Sequence, residues 1–418
     1  MMKTKLRVLS TLAGLAIAVG ACTSGATQAP AGSTGTGASQ PAAGGSTAPG
    51  AALKGALTVW HSYGSGAGTE ATALKTVTDK IAAANPDLKL TIQDIKFDDL
   101  FKKFELESAS GGGPDLFIAP NDSLGKEARA GLFLDVTSML DGKLTDDSDV
   151  SVEGSKVGGK LFMVPESLKA VAMYYDKSKI ATPPATTDAL LAGVKDGSIK
   201  AGFDAHSSYH SFGWWAAFGG QLMDPSGKCV ADTTGVGDAY KYFQDLQAAG
   251  AKWYDKYDDL ASDFKSGKIT LIVDGPWASG GYKESLKDNL AVAPMPSGPK
   301  GPSKPLTGVD GWYINTNAKD AQLAVNFALE MVKADNEQVF VDRAGHIPAD
   351  KTITISDPIT QKFGEAVATG FPRPQVEQLD NFWGNFDNAL NLVIQKNENS
   401  QKAATDACAA MNTANKIQ

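Results

Sequence analysis

Residues 57–118 decide the fold and read LTVWHSYGSGAGTEATALKTVTDKIAAANPDLKLTIQDIKFDDLFKKFELESASGGGPDLFI. Short β-type runs alternate in this stretch with segments whose apolar residues recur at helical spacing. The predicted elements are a strand at 57–60, a helix at 69–84, a strand at 88–92, a helix at 100–108 and a strand at 115–118. This alternation indicates an α/β fold whose mainly parallel sheet binds ligands at the carboxyl ends of its strands.

The remainder of the chain is too long for one hydrophobic core, so we expect two lobes. Apolar runs at 170–175 and 269–273 predict strands of the second lobe. Further helices are predicted from about 122 and at 188–195, 211–218, 236–249, 260–265, 321–332, 382–394 and 401–412.

The first 21 residues indicate a secretory signal, because three basic residues precede a short apolar run at 8–19. That run is too short to span a bilayer as a permanent helix. The sequence Val19-Gly-Ala-Cys22 resembles the bacterial lipobox, whose cysteine becomes the lipidated first residue of the mature protein. We therefore expect export and a membrane anchor at Cys22; the alternative is an ordinary cleaved signal with Cys22 a bystander.

Residues 22–52 contain almost no large apolar side chain and no charged one. Such a segment cannot bury enough surface to offset the entropy of ordering, which predicts a disordered tether with a reach of roughly 30 Å. The net charge of −8, without a basic stripe, argues against nucleic acid as a partner.

Signatures of catalysis and of metal binding are missing from the sequence. His206 and His210 lie four residues apart, but Ser207-Ser208 between them favours a loop or a helix cap over a helical metal pair. The glycine clusters at 64–68 and 111–113 lack the Lys-Ser/Thr that a phosphate loop requires. We expect no catalytic residue, no metal and no cofactor.

Aromatic residues stand where predicted strands end or helices begin. Trp60 ends the first strand, Tyr209 precedes a helix, Trp277 follows Asp274-Gly-Pro, and Trp383 lies in Asn381-Phe-Trp-Gly384. Side chains at such positions can reach a cleft, where an aromatic face suits the C–H face of a sugar ring. Neighbouring polar groups would then bind the hydroxyls.

Several segments together resemble the extracellular solute-binding proteins of bacterial sugar ABC importers, in the maltose/maltodextrin-binding branch. They are LTVWHS (57–62), GGPDLFIAPND (112–122), GKLFMVP (159–165), MYYDK (173–177), DGPW (274–277) and NFW (381–383). DGPW preceded by FKSGK (264–268) and an apolar run is the most specific of these. The resemblance implies a two-lobed type II periplasmic-binding-protein fold with an oligosaccharide cleft between the lobes, and a monomer that is not an enzyme.

Carried over residue by residue, the resemblance assigns ligand-binding roles to five positions. Asp122 matches the sugar-binding acid after the third strand, and Tyr209 matches the stacking tyrosine in front of a helix. Trp277 and Trp383 match two stacking tryptophans. Ser62 matches a polar contact after the first strand.

The chain departs from the family pattern at several polar positions. Gly64-Ser65 replaces an acidic-lysine pair, Ala119 replaces a tryptophan, and Lys169 and Ser207 fall where acids are expected. We therefore expect the polar contacts with the ligand to differ from those of the family, whereas the stacking residues Tyr209, Trp277 and Trp383 are retained. We include Lys169, with Trp60, among the expected ligand contacts, and a maltodextrin is the leading ligand.

The family mechanism implies lobe closure around the ligand and delivery to a membrane permease. The expected crossings between the lobes lie near 165–169, 296–304 and 346–349. The first lobe is then 53–166 plus 304–347, and the second is 167–303 plus 348–418.

The cysteines support an exported protein. With Cys22 lipidated, Cys229 and Cys408 remain as a pair in a compartment where disulfides persist. We expect a disulfide that pins the last helix.

Three other readings stay open at this level. The first is a binding protein of the same fold for another oligosaccharide or a glycosyl-phosphate, for which Lys169 and Arg373 are the candidate cations. The second is a secreted carbohydrate-active enzyme, which needs two suitably spaced carboxylates. The third is a surface adhesin without a cleft.

Overall fold

The computed structural model describes residues 52–64 and 68–417, which form two large mixed β-sheets, a two-stranded sheet and helices packed against them. The predicted signal 1–21, Cys22, the linker up to residue 51 and Ser65 lie outside the described residues. The strands are β1 Gly55–His61, β2 Leu88–Asp94, β3 Leu116–Pro120, β4 Lys156–Val157, β5 Lys160–Leu161, β6 Met163–Lys169, β7 Ala172–Asp176, β8 Ala201–Asp204, β9 Lys252–Tyr254, β10 Leu271–Asp274, β11 Leu290–Ala293, β12 Leu306–Ile314, β13 Ile347–Pro348 and β14 Phe371–Pro372.

The helices of the described residues include every one that the periodicity predicts. They are α1 Thr69–Ala84, α2 Phe97–Ala109, α3 Leu124–Arg129, α4 Asp149–Gly154, α5 Thr187–Lys195, α6 Ser208–Ala217, α7 Val236–Ala249, α8 Tyr257–Lys265, α9 Ser279–Leu286, α10 Ala321–Met331, α11 Ala334–Ala344, α12 Pro358–Thr369, α13 Trp383–Gln395 and α14 Ser400–Ala414. None of the helices in this part of the chain is long and apolar enough to cross a membrane.

The first sheet has the order β13-β6-β12-β3-β1-β2, with β14 beside the start of β12. β1 is parallel to β2 and β3, as the alternation predicts, whereas β12 is antiparallel to β3 and β6 and parallel to the short β14. The second sheet has the order β11-β7-β10-β8-β9, in which β8, β9 and β10 are parallel. Each sheet is the base of one lobe.

Each lobe has apolar side chains on the faces that the sequence periodicity selects. Leu74, Val77 and Ile81 of α1 pack in the first lobe, with Leu57 and Val59 of β1. In the second lobe, α13 and α14 pack against α7. A disulfide between Cys229 and Cys408, with the Cα atoms 5.5 Å apart, fastens α14 to the loop between α6 and α7, as predicted.

The chain crosses between the sheets three times. β6 stays in the first sheet up to Lys169, so the first crossing is the buried pair Ala170-Val171, directly after the predicted segment. The return crossing lies between β11 and β12, and the chain leaves the first sheet for the last time after β14, which pairs with the start of β12. We propose these crossings as the lobe boundaries.

Candidate functional site

The loops after β3, β8 and β10 carry most of the predicted site residues. Asp122 follows β3, Tyr209 lies in the first turn of α6 after β8, and Trp277 lies in a 3-10 turn, Pro276–Ala278, after β10. Ser207 caps α6 by accepting a hydrogen bond from the His210 backbone N–H at 3.3 Å, as its serine pattern predicts. His206 therefore precedes the helix and does not share a helical face with His210.

A chain of hydrogen bonds fixes the Trp277 ring. Its Nε1 donates to the Tyr257 hydroxyl at 3.1 Å, and that hydroxyl donates to Asp274 Oδ2 at 2.9 Å. The Tyr282 hydroxyl donates to the same oxygen at 2.6 Å, and the Asp274 carboxylate is fully buried. Burial, the largest single influence, lowers the pKa of His210, but Asp274 together with Asp204 and Asp387 outweighs it and holds that pKa above its ordinary value.

Aromatic rings surround this position. The centroids of Tyr209 and Trp277 lie 6.0 Å apart, and His210 meets Trp277 edge-on at 5.9 Å. The Lys169 ammonium lies 5.6 Å from the Trp277 ring centroid and forms an ion pair of 2.6 Å with Asp310 of β12. Aromatic surface, one cation and one carboxylate thus meet at a single place.

Arg373, just after β14, joins this cluster to the first lobe. Its Nη1 donates to Asp122 and, at 3.0 Å, to Asn121 Oδ1. The guanidinium carbon lies 5.3 Å from the Tyr209 ring and 5.2 Å from the Trp383 ring. The residue is 4% exposed, and burial lowers its pKa to about 9.

Several buried polar atoms of the cluster have no hydrogen-bond partner among the described residues. They include the Tyr209 hydroxyl, Trp383 Nε1 and Arg373 Nε; the Tyr63 hydroxyl, after β1 in the first lobe, also lacks a partner. Burial, followed by the charges of Glu166, Glu70 and Asp310, raises the pKa of Tyr63, so its hydroxyl keeps its proton and faces carboxylates. An unpaired buried polar group costs about 1–3 kcal/mol, so a bound molecule rich in hydroxyls would relieve several such penalties at once.

Five of the seven residues expected to contact the ligand lie together, because Arg373 and Trp277 connect them. Arg373 connects Asp122, Tyr209 and Trp383, while Trp277 connects Tyr209 and Lys169. Ser62 is half-buried at the carboxyl end of β1, beside Tyr63.

Trp60 lies elsewhere. It stands one residue inside β1, is 2% exposed and packs in a core cluster with Phe104 and Phe117. The Lys103 ammonium covers its ring at 4.1 Å. We therefore leave Trp60 out of the site.

The sequence prediction did not single out Arg373 and Asp310 of this cluster, or Tyr63 of the first lobe. Arg373 was visible only as a candidate cation, Asp310 lies in a strand that the pattern did not predict, and Tyr63 simply follows Ser62. An aromatic residue directly after a strand end was the available signal for Tyr63. Nothing local in the sequence shows that Arg373 is buried between rings.

The chain belongs to the bacterial extracellular solute-binding proteins, because the model of that family matches residues 76–366. It is 26% identical over 336 residues to a maltooligosaccharide ABC transporter solute-binding lipoprotein of Streptococcus pneumoniae, covering 73% of this chain and 77% of that one. These matches confirm the predicted family, and an extracellular family agrees with the exported protein that the first 21 residues predict.

Solved structures confirm the two-lobed fold. The Thermus thermophilus maltotriose-binding protein, bound with maltotriose, is 28% identical with a TM-score of 0.77, covering 86% of this chain and 99% of that one. The GacH receptor of Streptomyces glaucescens has a TM-score of 0.81 at 19% identity, covering 88% of this chain and all of the other, and supports the fold alone.

Proposed function

We propose that this protein captures maltose and short maltodextrins by lobe closure and delivers them to an ABC permease. The observation that carries the proposal is the cluster of Tyr209, Trp277 and Trp383, which combines aromatic rings with buried polar atoms that lack partners. The S. pneumoniae and T. thermophilus relatives are named for ligands of this chemistry.

The chemistry of a glucose ring fits both parts of the cluster. Its C–H faces can stack on the aromatic rings, and its hydroxyls can donate and accept at the same time. They would supply acceptors for Arg373 Nε and Trp383 Nε1 and a partner for the Tyr209 hydroxyl. Asp122 and Lys169 would complete the polar contacts.

The charges of the site favour a neutral sugar over a glycosyl-phosphate. Arg373 is paired with Asp122, and Lys169 is paired with Asp310, so each cation of the cluster already has a carboxylate partner. A phosphate would have to displace these aspartates or face their negative charge.

The same ion pairs support binding without turnover. A glycosidase needs one protonated carboxylic acid and a second carboxylate, each free to act on the glycosidic bond. Asp122 and Asp310 are instead paired with cations, and the buried Asp274 accepts hydrogen bonds from the Tyr257 and Tyr282 hydroxyls. We therefore propose a carrier and not an enzyme.

The export signal supports a placement close to the permease. We propose that Cys22 carries the lipid anchor and that residues 22–52 tether the folded monomer to the membrane. Bacterial lipoproteins carry several acyl chains, and each buried CH2 contributes about 0.8 kcal/mol.

Calorimetric titration with maltose, maltotriose and maltohexaose tests the function. The protein is expected to bind them, and Trp277→Ala is expected to abolish binding because it removes the central ring of the cluster. Trp60→Phe is the matched control, since Trp60 is a core residue, and it should bind like the wild type. Retained affinity in Trp277→Ala would refute the site, and hydrolysis of maltohexaose by the pure protein would refute the function.

A further inference from the structure

A short segment runs from Arg373, which contacts the Tyr209 and Trp383 rings, into the second lobe. We call residues 373–381 the strap: Arg373 begins it, and Trp383 follows its end. Leu379 in the strap and Phe382 just after it pack in the core of the second lobe. The strap therefore moves with the second lobe at this end.

Along its length, the strap lies against residues 121–129 of the first lobe. Arg373 pairs with Asp122, and Gln375 Nε2 donates to the Asn121 carbonyl at 3.2 Å. Arg129, the last residue of α3, donates to the Gln375 carbonyl at 3.4 Å and pairs with Asp380 at 2.5 Å. Arg129 thus contacts the strap at two points, Gln375 and Asp380.

The other charged residues of α3, Lys126 and Glu127, make their charged contacts within the first lobe. Lys126 is engaged by Glu105 at 2.6 Å and lies 3.7 Å from Glu127, and all three belong to the first lobe. Asp380 comes from the strap, so its pairing with Arg129 joins the lobes. A surface ion pair within one rigid lobe contributes little to binding, but one that forms only on closure adds its free energy to closure.

We propose that Arg129 is a positioning residue for ligand binding: by holding the strap on α3, it sets Arg373 and Trp383 in their places and favours the closed arrangement. This inference rests on the proposed function. A neutral sugar by itself gives no reason for salt-dependent binding. If Arg129 acts in this way, the sugar should bind more weakly as salt screens the Arg129–Asp380 pair.

Titration of maltotriose at ionic strengths of about 0.01 M and about 0.5 M tests the inference. Wild-type affinity should fall with salt, and Arg129→Gln should bind about two- to fivefold more weakly at low salt with a flatter salt dependence. Arg129→Lys should recover part of the loss. The exchange variant R129D/D380R should recover it as well, because the pair is re-formed with reversed charges.

Lys75→Gln is the matched control, since Lys75 forms an exposed pair with Asp79 within α1. It should leave both affinity and salt dependence unchanged. An Arg129→Gln variant that matches the wild type at both salt concentrations overturns the inference while the proposed function stands. A wild type that binds no maltodextrin overturns the proposed function.

Amide hydrogen exchange of the sugar-free protein tests the positioning without any ligand. Exchange over 373–381 should be faster in Arg129→Gln than in the wild type, and Lys75→Gln should not change it. Equal exchange in Arg129→Gln and the wild type overturns the inference whichever sugar the protein binds.

Discussion

Glu337 is a buried acid whose protonation couples folding to pH. It lies in the first turn of α11, is 1% exposed, and its Oε1 accepts the Ala349 backbone N–H at 2.8 Å. Burial, followed by the charge of Glu166, raises its pKa to about 10. The folded protein therefore binds one proton more than the unfolded chain between the ordinary pKa of a glutamate and about 10, so its free energy of unfolding falls as pH rises through this range.

Glu337→Gln keeps the acceptor oxygen and removes this proton uptake. The variant should be more stable than the wild type by about 1–3 kcal/mol near neutral pH, with a difference that grows as pH rises. Urea unfolding at acid, neutral and alkaline pH measures it. The pKa of His346 is also raised, since Glu166 and Glu70 outweigh its burial, but that effect is common to both proteins.

Glu153→Gln serves as the control, because the Glu153 side chain is 71% exposed. It should change stability little at any pH. A stability difference for Glu337→Gln that does not depend on pH would contradict the protonation of Glu337.

For individual residues, the structure brings three of the four predicted rings and two of the three predicted polar residues into one cluster. Trp277 was predictable because a proline and a glycine end the strand before it, whereas the same rule failed for Trp60, which lies one residue inside β1. Arg373 and Asp310 depend on partners far away in the sequence, Asp122 and Lys169. Local pattern carries no information about such pairings.

Among the secondary-structure elements, most helices were predicted, but α4, α9, α11 and α12 were missed, and so was β12, the central strand of the first sheet. β12 reads LTGVDGWYI, in which two glycines and an aspartate interrupt the apolar pattern. A Cβ at Gly311 would lie 2.7 Å from the Val164 carbonyl oxygen, so close strand packing requires glycine there. Asp310 is tolerated because Lys169 pairs with it. Tertiary contacts, and not the local sequence pattern, therefore determine that this segment forms strand β12.

The terminal helix α14 owes part of its attachment to the disulfide. Cys229 and Cys408 are separated by 179 positions, so the bond closes a long loop and restricts the unfolded chain. Reduction, or replacement of both cysteines by serine, should lower the free energy of unfolding by about 2–5 kcal/mol. Calorimetric unfolding with and without reductant measures the loss. Reductant should not affect the double serine variant, and equal stability of the oxidised and reduced wild type would contradict the prediction.

In the whole molecule, the two lobes contact each other at several places. Arg129 pairs with Asp380, the Lys169 ammonium lies near the Trp277 ring, and the Ser279 hydroxyl donates to the Ala344 carbonyl at 3.2 Å. We therefore interpret this arrangement of the lobes as a closed one. Without sugar, closure leaves Tyr209, Trp383 and Arg373 with unpaired buried polar atoms, which penalises this arrangement.

We therefore expect the sugar-free protein to open in solution and maltotriose to close it. Small-angle scattering should show a smaller radius of gyration when maltotriose is added, because only the closed form lets the sugar contact both lobes. Trp277→Ala, which cannot hold the sugar, should show no change. An unchanged radius for the wild type at saturating maltotriose would contradict closure.

We expect the position of β12 in the first sheet to delay the completion of that sheet during synthesis. β12 lies between β3 and β6, and its Asp310 is opposite Pro120, so the first sheet stays incomplete until the whole second sheet has been synthesised. Pairings this distant in sequence slow folding. If residues 1–21 act as the predicted export signal, slow folding would suit export, because a polypeptide that has not yet collapsed can still be threaded through a narrow translocation channel. We therefore expect the interleaved topology that places the candidate cluster between the two lobes also to keep the newly made chain unfolded during export.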